Sequence, residues 1–313
     1  MVATATVATQ WFDPAAAKGR GGQDGAAADL ASRTPRLVAR AREVAASVIH
    51  GAHGRRRAGV GETFWQYRPA VAGEPAQRID WRRSARSDQL YVRELEWEAA
   101  RSFYLWMDAS PSMAFKSSLA QDFKIDRAAL LGLALADVLV RGGERVAALG
   151  LGPPIAARDI IERLARALIE NLDTIAGWEL APLVAFPARA KIVLISDFLC
   201  EPGELAARLM EFADAGASGA LLMIVDPAEE SFPFAGETRF LDTDGGAPFH
   251  AGEARRLREA YSARLAEHRE AVREAAKRAG FLFLLHHTDR PAAEAALNLT
   301  LALASLTERR RWD

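Results

Sequence analysis

The stretch FYLWMDASPSM, residues 103–113, decides the fold of this chain. It opens on a near-continuous apolar run, and similar short runs recur downstream as RVAALG (145–150), KIVLIS (191–196), ALLMIV (220–225) and FLFLL (281–285). Helical periodicity separates them, at about 122–140, 157–172, 203–215 and 252–279. Apolar strands that alternate with helices are typical of a mostly parallel sheet covered on both faces, because each crossover helix shields one face. We therefore predict a doubly wound α/β domain over residues 101–313.

The sequence before this domain divides into two further parts. Residues 1–35 are rich in Ala, Gly and small polar residues without sustained periodicity, which predicts a disordered leader. In residues 36–100, a helical stripe that ends before Gly51 precedes two short runs, TFWQYR and LYVRELEW, whose aromatic and β-branched residues indicate strands. Because these elements are too few for a core of their own, we expect residues 36–100 to be an α+β appendage packed on the main domain.

Composition and charge exclude several classes of protein. Of the 313 residues, 50% are hydrophobic and 26% charged, which is close to the globular average and unlike a disordered or fibrous chain. A net charge of -1 gives no general basic field, so we expect no nucleic-acid binding. The single cysteine, Cys200, can form neither an intramolecular disulfide nor a cysteine-based zinc site. No apolar stretch reaches the ~18 to 20 residues that span a bilayer, and the N-terminus lacks a secretory signal, so we expect a cytoplasmic protein.

Oxygen-bearing side chains follow two of the predicted strands. Asp108 comes directly after the first strand, with Ser110 and Ser112 at alternating positions of the next loop, and Asp197 directly follows KIVLIS. Ligands of open α/β sheets bind beyond the carboxyl ends of the strands. Carboxylate and hydroxyl oxygens suit Mg²⁺ or Mn²⁺. A turn or helix N-cap is the alternative for the Asp and Ser residues alone, but the two strand ends together favour a metal site formed by all four residues.

The segment from Gly59 to Met113 strongly resembles the signature of the bacterial domain-of-unknown-function-58 family. The matching features are a Gly-rich turn before E-x-F-x-x-x-R, then IDWRRSAR at 79–86, then a VRE segment that runs into D-x-S-x-S-M at 108–113. The resemblance extends from about Leu37 to the C-terminus. It implies a von Willebrand A-like fold, a metal-ion-dependent adhesion site at the four residues named above, and a MoxR-type AAA+ ATPase as partner in chaperone-like remodelling.

The family's metal site usually takes a further Thr ligand from a loop before the next strand, and this chain departs from that pattern. The corresponding stretch reads Ala-Gly-Trp-Glu-Leu at 176–180, so that Trp178 stands where Thr is expected. Thr174 lies nearby but out of register, and Glu179 offers an oxygen instead. We therefore expect coordination of Mg²⁺ or Mn²⁺ to be altered or weaker than in the family.

The Arg-rich segment around IDWRRSAR leaves two interpretations open. Asp80, Trp81, Arg82 and Arg86 either form a surface that docks a partner, since guanidinium groups pair with planar anions, or they are structural. In the structural interpretation Asp80 pairs with Arg86, and Trp81 packs the N-terminal strands onto the main domain.

The residues favour a non-enzymatic, metal-dependent protein-interaction module in which a partner's carboxylate fills an open position on the cation. The family resemblance implies that this module is an adaptor for a MoxR-type AAA+ ATPase. The alternative is a metal-dependent hydrolase or phosphatase on the same sheet. A phosphatase of the haloacid dehalogenase type needs a second Asp where Ser110 stands, and a serine hydrolase needs a G-x-S-x-G elbow that the sequence around Ser110 lacks. We therefore expect no catalytic residues and no organic cofactor.

Overall fold

The structure, a computed structural model, describes residues 23–53, 64–71, 73–95, 100–240 and 248–309. In chain order, the helices are α1 (Gln23–His53), α2 (Trp81–Ser84), α3 (Lys124–Arg141), α4 (Ile160–Glu170), α5 (Leu172–Ile175), α6 (Pro202–Asp214), α7 (Pro227–Ser231), α8 (Arg258–Arg278) and α9 (Ala292–Arg309). The strands are β1 (Phe64–Pro69), β2 (Tyr91–Leu95), β3 (Ser102–Met107), β4 (Arg145–Ala148), β5 (Lys191–Ser196), β6 (Ser218–Val225), β7 (Thr238–Phe240), β8 (Phe249–Ala251) and β9 (Leu282–His287). Two compact units result, one from residues 1–55 and 101–313 and the other from 56–100.

A sheet of five parallel strands forms the centre of the larger unit, in the order β4-β3-β5-β6-β9. Every residue of β5 and β6 is buried. Burial on both faces is what the apolar runs of the sequence predict, since a strand covered on one face alone would alternate between apolar and polar residues. The parallel α/β sheet with flanking helices is therefore confirmed.

Helices cover both faces of the sheet, and alternate residues of a strand contact the helices on opposite faces. On one face, α1, α3, α4 and α9 pack over a core that includes Phe103, Leu105 and Met107. On the other face, α6 and α8 pack over a core that includes Tyr104 and Trp106. Successive side chains of a strand point to opposite faces, so the single strand β3 contributes to both cores.

Helix α1 begins at Gln23, earlier than the predicted boundary at residue 36, and residues 1–22 of the predicted leader lie outside the described residues. Its buried stripe, which includes Leu37, Ala41 and Val48, belongs to the same core as α3 and α9. The helix therefore belongs to the larger unit, whereas the sequence analysis grouped it with β1 and β2.

The smaller unit contains an antiparallel pair, β1 and β2, and the short helix α2. The guanidinium of Arg83 lies 5.5 Å from the ring centroids of both Tyr67 and Tyr91, which face each other edge to face. The hydroxyl of Ser84 accepts a hydrogen bond from the backbone N–H of Tyr91 and so joins α2 to β2.

Among the helices that the structure describes, none combines the length and the apolar character needed to cross a bilayer.

Gly219 in β6 allows a close approach to β5 that no larger residue permits. A Cβ added there would lie 1.6 Å from the carbonyl oxygen of Ile192 and 2.6 Å from its carbonyl carbon. Because central strands cannot separate without loss of ladder hydrogen bonds, we expect Gly219→Ala to lower the free energy of unfolding by about 3 kcal/mol, at the upper end for overpacking. Denaturant unfolding measures this. The control is Gly252→Ala, because an added Cβ there has no atom within 4 Å, and equal stability of the two variants would contradict the prediction.

Candidate functional site

Asp108 and Asp197 lie at the carboxyl edge of the sheet, where the connections diverge. The chain leaves β3 for α3 on one face of the sheet, and it leaves β5 for α6 on the other face. Open α/β sheets bind ligands in the crevice at such a point, because no helix covers it. The backbone N–H of Asp108 donates to the carbonyl of Ile195 over 2.9 Å, which holds the two strand ends in register.

Both carboxylate oxygens of Asp108 accept hydrogen bonds from neutral donors. Oδ1 accepts from the backbone N–H of Ser110 over 2.7 Å, and Oδ2 accepts from the hydroxyl of Ser196 over 2.5 Å. The Ser196 oxygen in turn accepts from the N–H of Phe198. With 3% of Asp108 exposed, these bonds fix the direction in which its remaining lone pairs point.

Ser110 lies directly beside this carboxylate, and Ser112 lies beside Ser110. Their hydroxyl oxygens are 3.1 Å apart, and both residues are half-buried. A 3-10 turn over Pro111–Met113 produces this proximity, because it folds the loop back after Pro111. The structure therefore brings three of the four predicted ligands together at one strand end.

Asp197 has a partner that the sequence analysis missed. The ammonium of Lys124, the first residue of α3, donates to Oδ2 of Asp197 over 2.8 Å and to Oε1 of Glu229 over 2.6 Å. The Lys124 side chain is 1% exposed, and its ammonium lies 5.7 Å from the centre of the Phe115 ring. The other oxygen of Asp197 accepts from the N–H of Leu199. The ammonium therefore engages one of the two oxygens that Asp197 was predicted to offer a metal.

The charges of these groups perturb one another. Burial lowers the pKa of Lys124, but Asp197 and Glu229 outweigh burial and hold that pKa above its usual value, so the ammonium stays charged. Burial, followed by the negative charge of Asp197, raises the pKa of Asp108 to about 6. Negative charge on Asp108 is therefore costly, and a cation bound beside it would offset that cost.

A third strand end carries a buried aspartate that the sequence analysis did not single out. Asp226 directly follows β6 and is fully buried. Its carboxylate accepts from the backbone N–H groups of Ser117 and Ala228, each over 2.9 Å, and the Glu229 side chain accepts from the N–H of Asp226. Asp226 thus caps α7 and joins the loop after β3 to the end of β6. The same rule that selected Asp108 and Asp197 selects it, since ALLMIV is directly followed by Asp.

The donors around Asp108 fit a small hard cation. Within the described ranges, no group of three or more Asp, Glu, His or Cys side chains is arranged to hold a metal. The cluster at Asp108 is of a different kind, because two of its three members contribute hydroxyl groups. One carboxylate and two hydroxyls are hard oxygen ligands of the kind that Mg²⁺ takes together with water.

The stretch that departs from the family pattern packs near the end of β4. Trp178 is half-buried and packs beside Gly150, where an added Cβ would lie 2.8 Å from the Trp178 ring. Thr174 and Glu179 are exposed. Among the contacts of the described residues, none joins any of these three side chains to Asp108.

The second predicted set belongs to the smaller unit. Asp80 caps α2, where its carboxylate accepts from the N–H of Arg83 over 2.9 Å and from the Tyr67 hydroxyl over 3.3 Å. Trp81 is 58% exposed, and Arg82 and Arg86 are exposed. Within the described part of the chain, Arg86 forms no ion pair with Asp80, so the capping role replaces the pairing that the structural interpretation assumed.

Comparison with known proteins identifies one family, and the solved structures to which the chain is similar include two from Bacteroides species. The family described as "Protein of unknown function DUF58" matches residues 66–271. The conserved hypothetical protein BatB from Bacteroides thetaiotaomicron is 15% identical over 66% of this chain and 100% of that chain, with a TM-score of 0.37. An aerotolerance-related membrane protein from Bacteroides fragilis NCTC 9343 with multiple mutations to serines is 18% identical over 66% of this chain and 100% of that chain, with a TM-score of 0.36. No curated protein matches the chain.

Proposed function

This chain belongs to the DUF58 family, and from that premise we propose that it is a non-enzymatic, metal-dependent protein-interaction module with a von Willebrand A-like fold. The observation that carries the proposal is the position of Asp108, Ser110 and Ser112, which converge at the point of the sheet where the connections diverge.

The charge of the donor set favours recognition of an anion. Asp108, Ser110 and Ser112 would hold Mg²⁺ or Mn²⁺ directly, whereas Asp197 pairs with Lys124 and would stay outside this ligand set. A divalent cation with one anionic and two neutral ligands keeps net positive charge, and when bound it supplies an attachment point for a partner's carboxylate.

The rim of the site adds apolar surface around this charged centre. Leu119 and Leu199 are each 52% exposed. The N–H of Leu199 donates to Asp197, and the N–H of Leu119 donates to the hydroxyl of Ser117, whose own N–H donates to Asp226. Exposed leucines around a polar centre suit a protein interface. We identify the partner, from the family resemblance, as an AAA+ ATPase of the MoxR type.

Addition of Mg²⁺ or Mn²⁺ should raise the thermal midpoint of the wild-type protein, because a ligand that binds only the folded state stabilises it by about 2.7 kcal/mol at 100 times its Kd. Asp108→Asn should abolish this response. Differential scanning calorimetry with metal and with chelator measures it. Asp159→Asn is the matched control, since Asp159 is an exposed helix-start residue paired with Arg163. An equal response of all three proteins would place the metal elsewhere.

The adaptor role is tested with the candidate ATPase. Binding in a titration should be lost with chelator and with Asp108→Asn, and retained in Asp159→Asn. Turnover of a generic phosphatase substrate that depends on Asp108 would instead favour the hydrolase. Cys200 does not favour a thiol enzyme, because burial raises its pKa to about 12 and leaves little thiolate at neutral pH.

A further inference from the structure

Lys124 places a permanent positive charge beside Asp197 at the carboxyl edge of the sheet. Its position in α3 makes that charge unfavourable for the helix itself. It is the first residue of α3, where the partial positive charge of the helix N-terminus repels a cation. It is also one of the largest fully buried side chains, although lysine is rarely buried without a partner. Local helix energetics therefore do not account for a lysine at this position.

The carboxylates around the ammonium do account for it. Asp197 comes from the end of β5 and Glu229 from α7, after β6, so that two separate strand ends direct a carboxylate oxygen at the same nitrogen. Phe115, from the loop that follows the two serines, covers the ammonium with its ring. Two hard oxygens that converge on a buried positive charge form the arrangement in which proteins also bind a metal cation.

The ammonium of Lys124 balances only part of the negative charge at the site. It contacts Asp197 and Glu229, whereas the oxygens of Asp108 are bonded to an amide N–H and a hydroxyl. The site thus has two places for positive charge: one is filled by Lys124 and the other lies at Asp108, Ser110 and Ser112.

We propose that Lys124 is a built-in cation that fills a second cation position, between Asp197 and Glu229, and so limits the site to one divalent ion. This inference rests on the proposed metal-dependent function for the ion at Asp108. Lys124 is a positioning residue, since its bond to Oδ2 fixes the carboxylate of Asp197. Without the ammonium, Asp197 and Glu229 become ligands for a divalent cation.

The test is Lys124→Met, which keeps most of the length of the side chain and removes its charge. In chelator, its thermal midpoint should fall by about 10 °C, because two buried carboxylates lose their counterion. Millimolar Mg²⁺, Mn²⁺ or Ca²⁺ should restore at least about half of that loss. Isothermal titration with Mn²⁺ should count one more ion per chain in Lys124→Met than in the wild-type protein.

Two further variants make the result specific. Lys191→Met removes another buried lysine, which donates to Ser218 at the start of β6, and should leave the ion count unchanged. The double variant Lys124→Met, Glu229→Gln should lose the additional ion. An unchanged ion count in Lys124→Met, or a variant that no divalent ion stabilises, would overturn the inference.

The same titration separates this inference from the proposed function. One ion in the wild-type protein and one in Lys124→Met would overturn the built-in cation and leave the function intact. No ion in the wild-type protein and one in Lys124→Met would overturn metal binding at Asp108 and support the role of Lys124.

Discussion

Replacement of Arg127 by Met should lower the free energy of unfolding by about 3 to 5 kcal/mol, as expected when one partner of a buried ion pair is removed. The Arg127 side chain is 6% exposed. Its Nε and Nη2 donate to Oδ2 of Asp122 over 3.2 and 2.9 Å, and Nη1 lies 2.9 Å from Nε2 of His286. The remaining bonds go to two backbone carbonyls after β9, those of Thr288 and Arg290.

These bonds join three parts of the larger unit, which is why no single neighbour can compensate for their loss. Asp122 precedes α3 and also accepts two hydrogen bonds from Arg40 of α1, over 3.0 and 2.7 Å. Arg127 extends the same cluster to the end of β9 through His286. In Arg127→Met the carbonyl of Thr288, a buried residue, would lose this donor at a further cost in stability.

Urea unfolding of the full chain measures this prediction. Arg163→Met is the matched control, because Arg163 forms an exposed pair with Asp159 one helical turn away and should matter little. If the two variants were equally stable, the Arg127 cluster would not hold the unit together as its bonds indicate.

Local sequence patterns were sufficient to predict the sheet and the first part of the site. The run KIVLIS coincides with β5 because a strand buried on both faces must be apolar throughout. Asp108, Ser110 and Ser112 were identifiable because they are close in sequence and follow a strand directly. The von Willebrand A-like assignment, the metal and the ATPase partner remain predictions.

The groups that the sequence did not reveal depend on contacts between distant segments. Lys124 lies 73 residues from Asp197 and 105 from Glu229, and nothing in the helical pattern of α3 marks its first residue as buried. The strands β7 and β8 have three residues each, too few for a period of two to be recognised. By contrast, Asp226 was open to prediction, since it directly follows the ALLMIV run.

Two buried groups, His286 and Asp108, contribute to the pH dependence of stability with opposite signs. Burial lowers the pKa of His286 to about 3, so the folded protein keeps a neutral ring beside Arg127 while the unfolded chain binds a proton below about pH 6.5. Stability from this group therefore falls as the pH falls below 6.5. Asp108 has the opposite effect, because the stability it contributes falls as the pH rises. A variant at Asp108 is needed to separate its contribution from that of His286.

Asp108→Asn should raise the free energy of unfolding by about 1 to 3 kcal/mol at pH 7.5 in chelator. Burial, followed by the charge of Asp197, raises the pKa of Asp108 from its ordinary 3.8 to about 6. Between these values the folded protein holds a proton that the unfolded chain releases, so wild-type stability falls as the pH rises through this window and stays reduced above it. At 1.36 kcal/mol per pKa unit, the full loss is about 3 kcal/mol.

An asparagine has no such titration, and its amide can donate to the Ser196 hydroxyl as a protonated carboxyl group would. The difference in free energy of unfolding between Asp108→Asn and the wild-type protein should therefore be small at pH 4. It should increase between pH 4 and 6 and remain constant above pH 6. Urea unfolding at pH 4, 5, 6 and 7.5 measures it, and the contribution of His286 cancels because both proteins contain it. A gap that does not change with pH, or a variant less stable than wild type at pH 7.5, would contradict the prediction. If the gap opens as expected, the wild-type protein carries at Asp108 a destabilising charge that a bound cation would relieve.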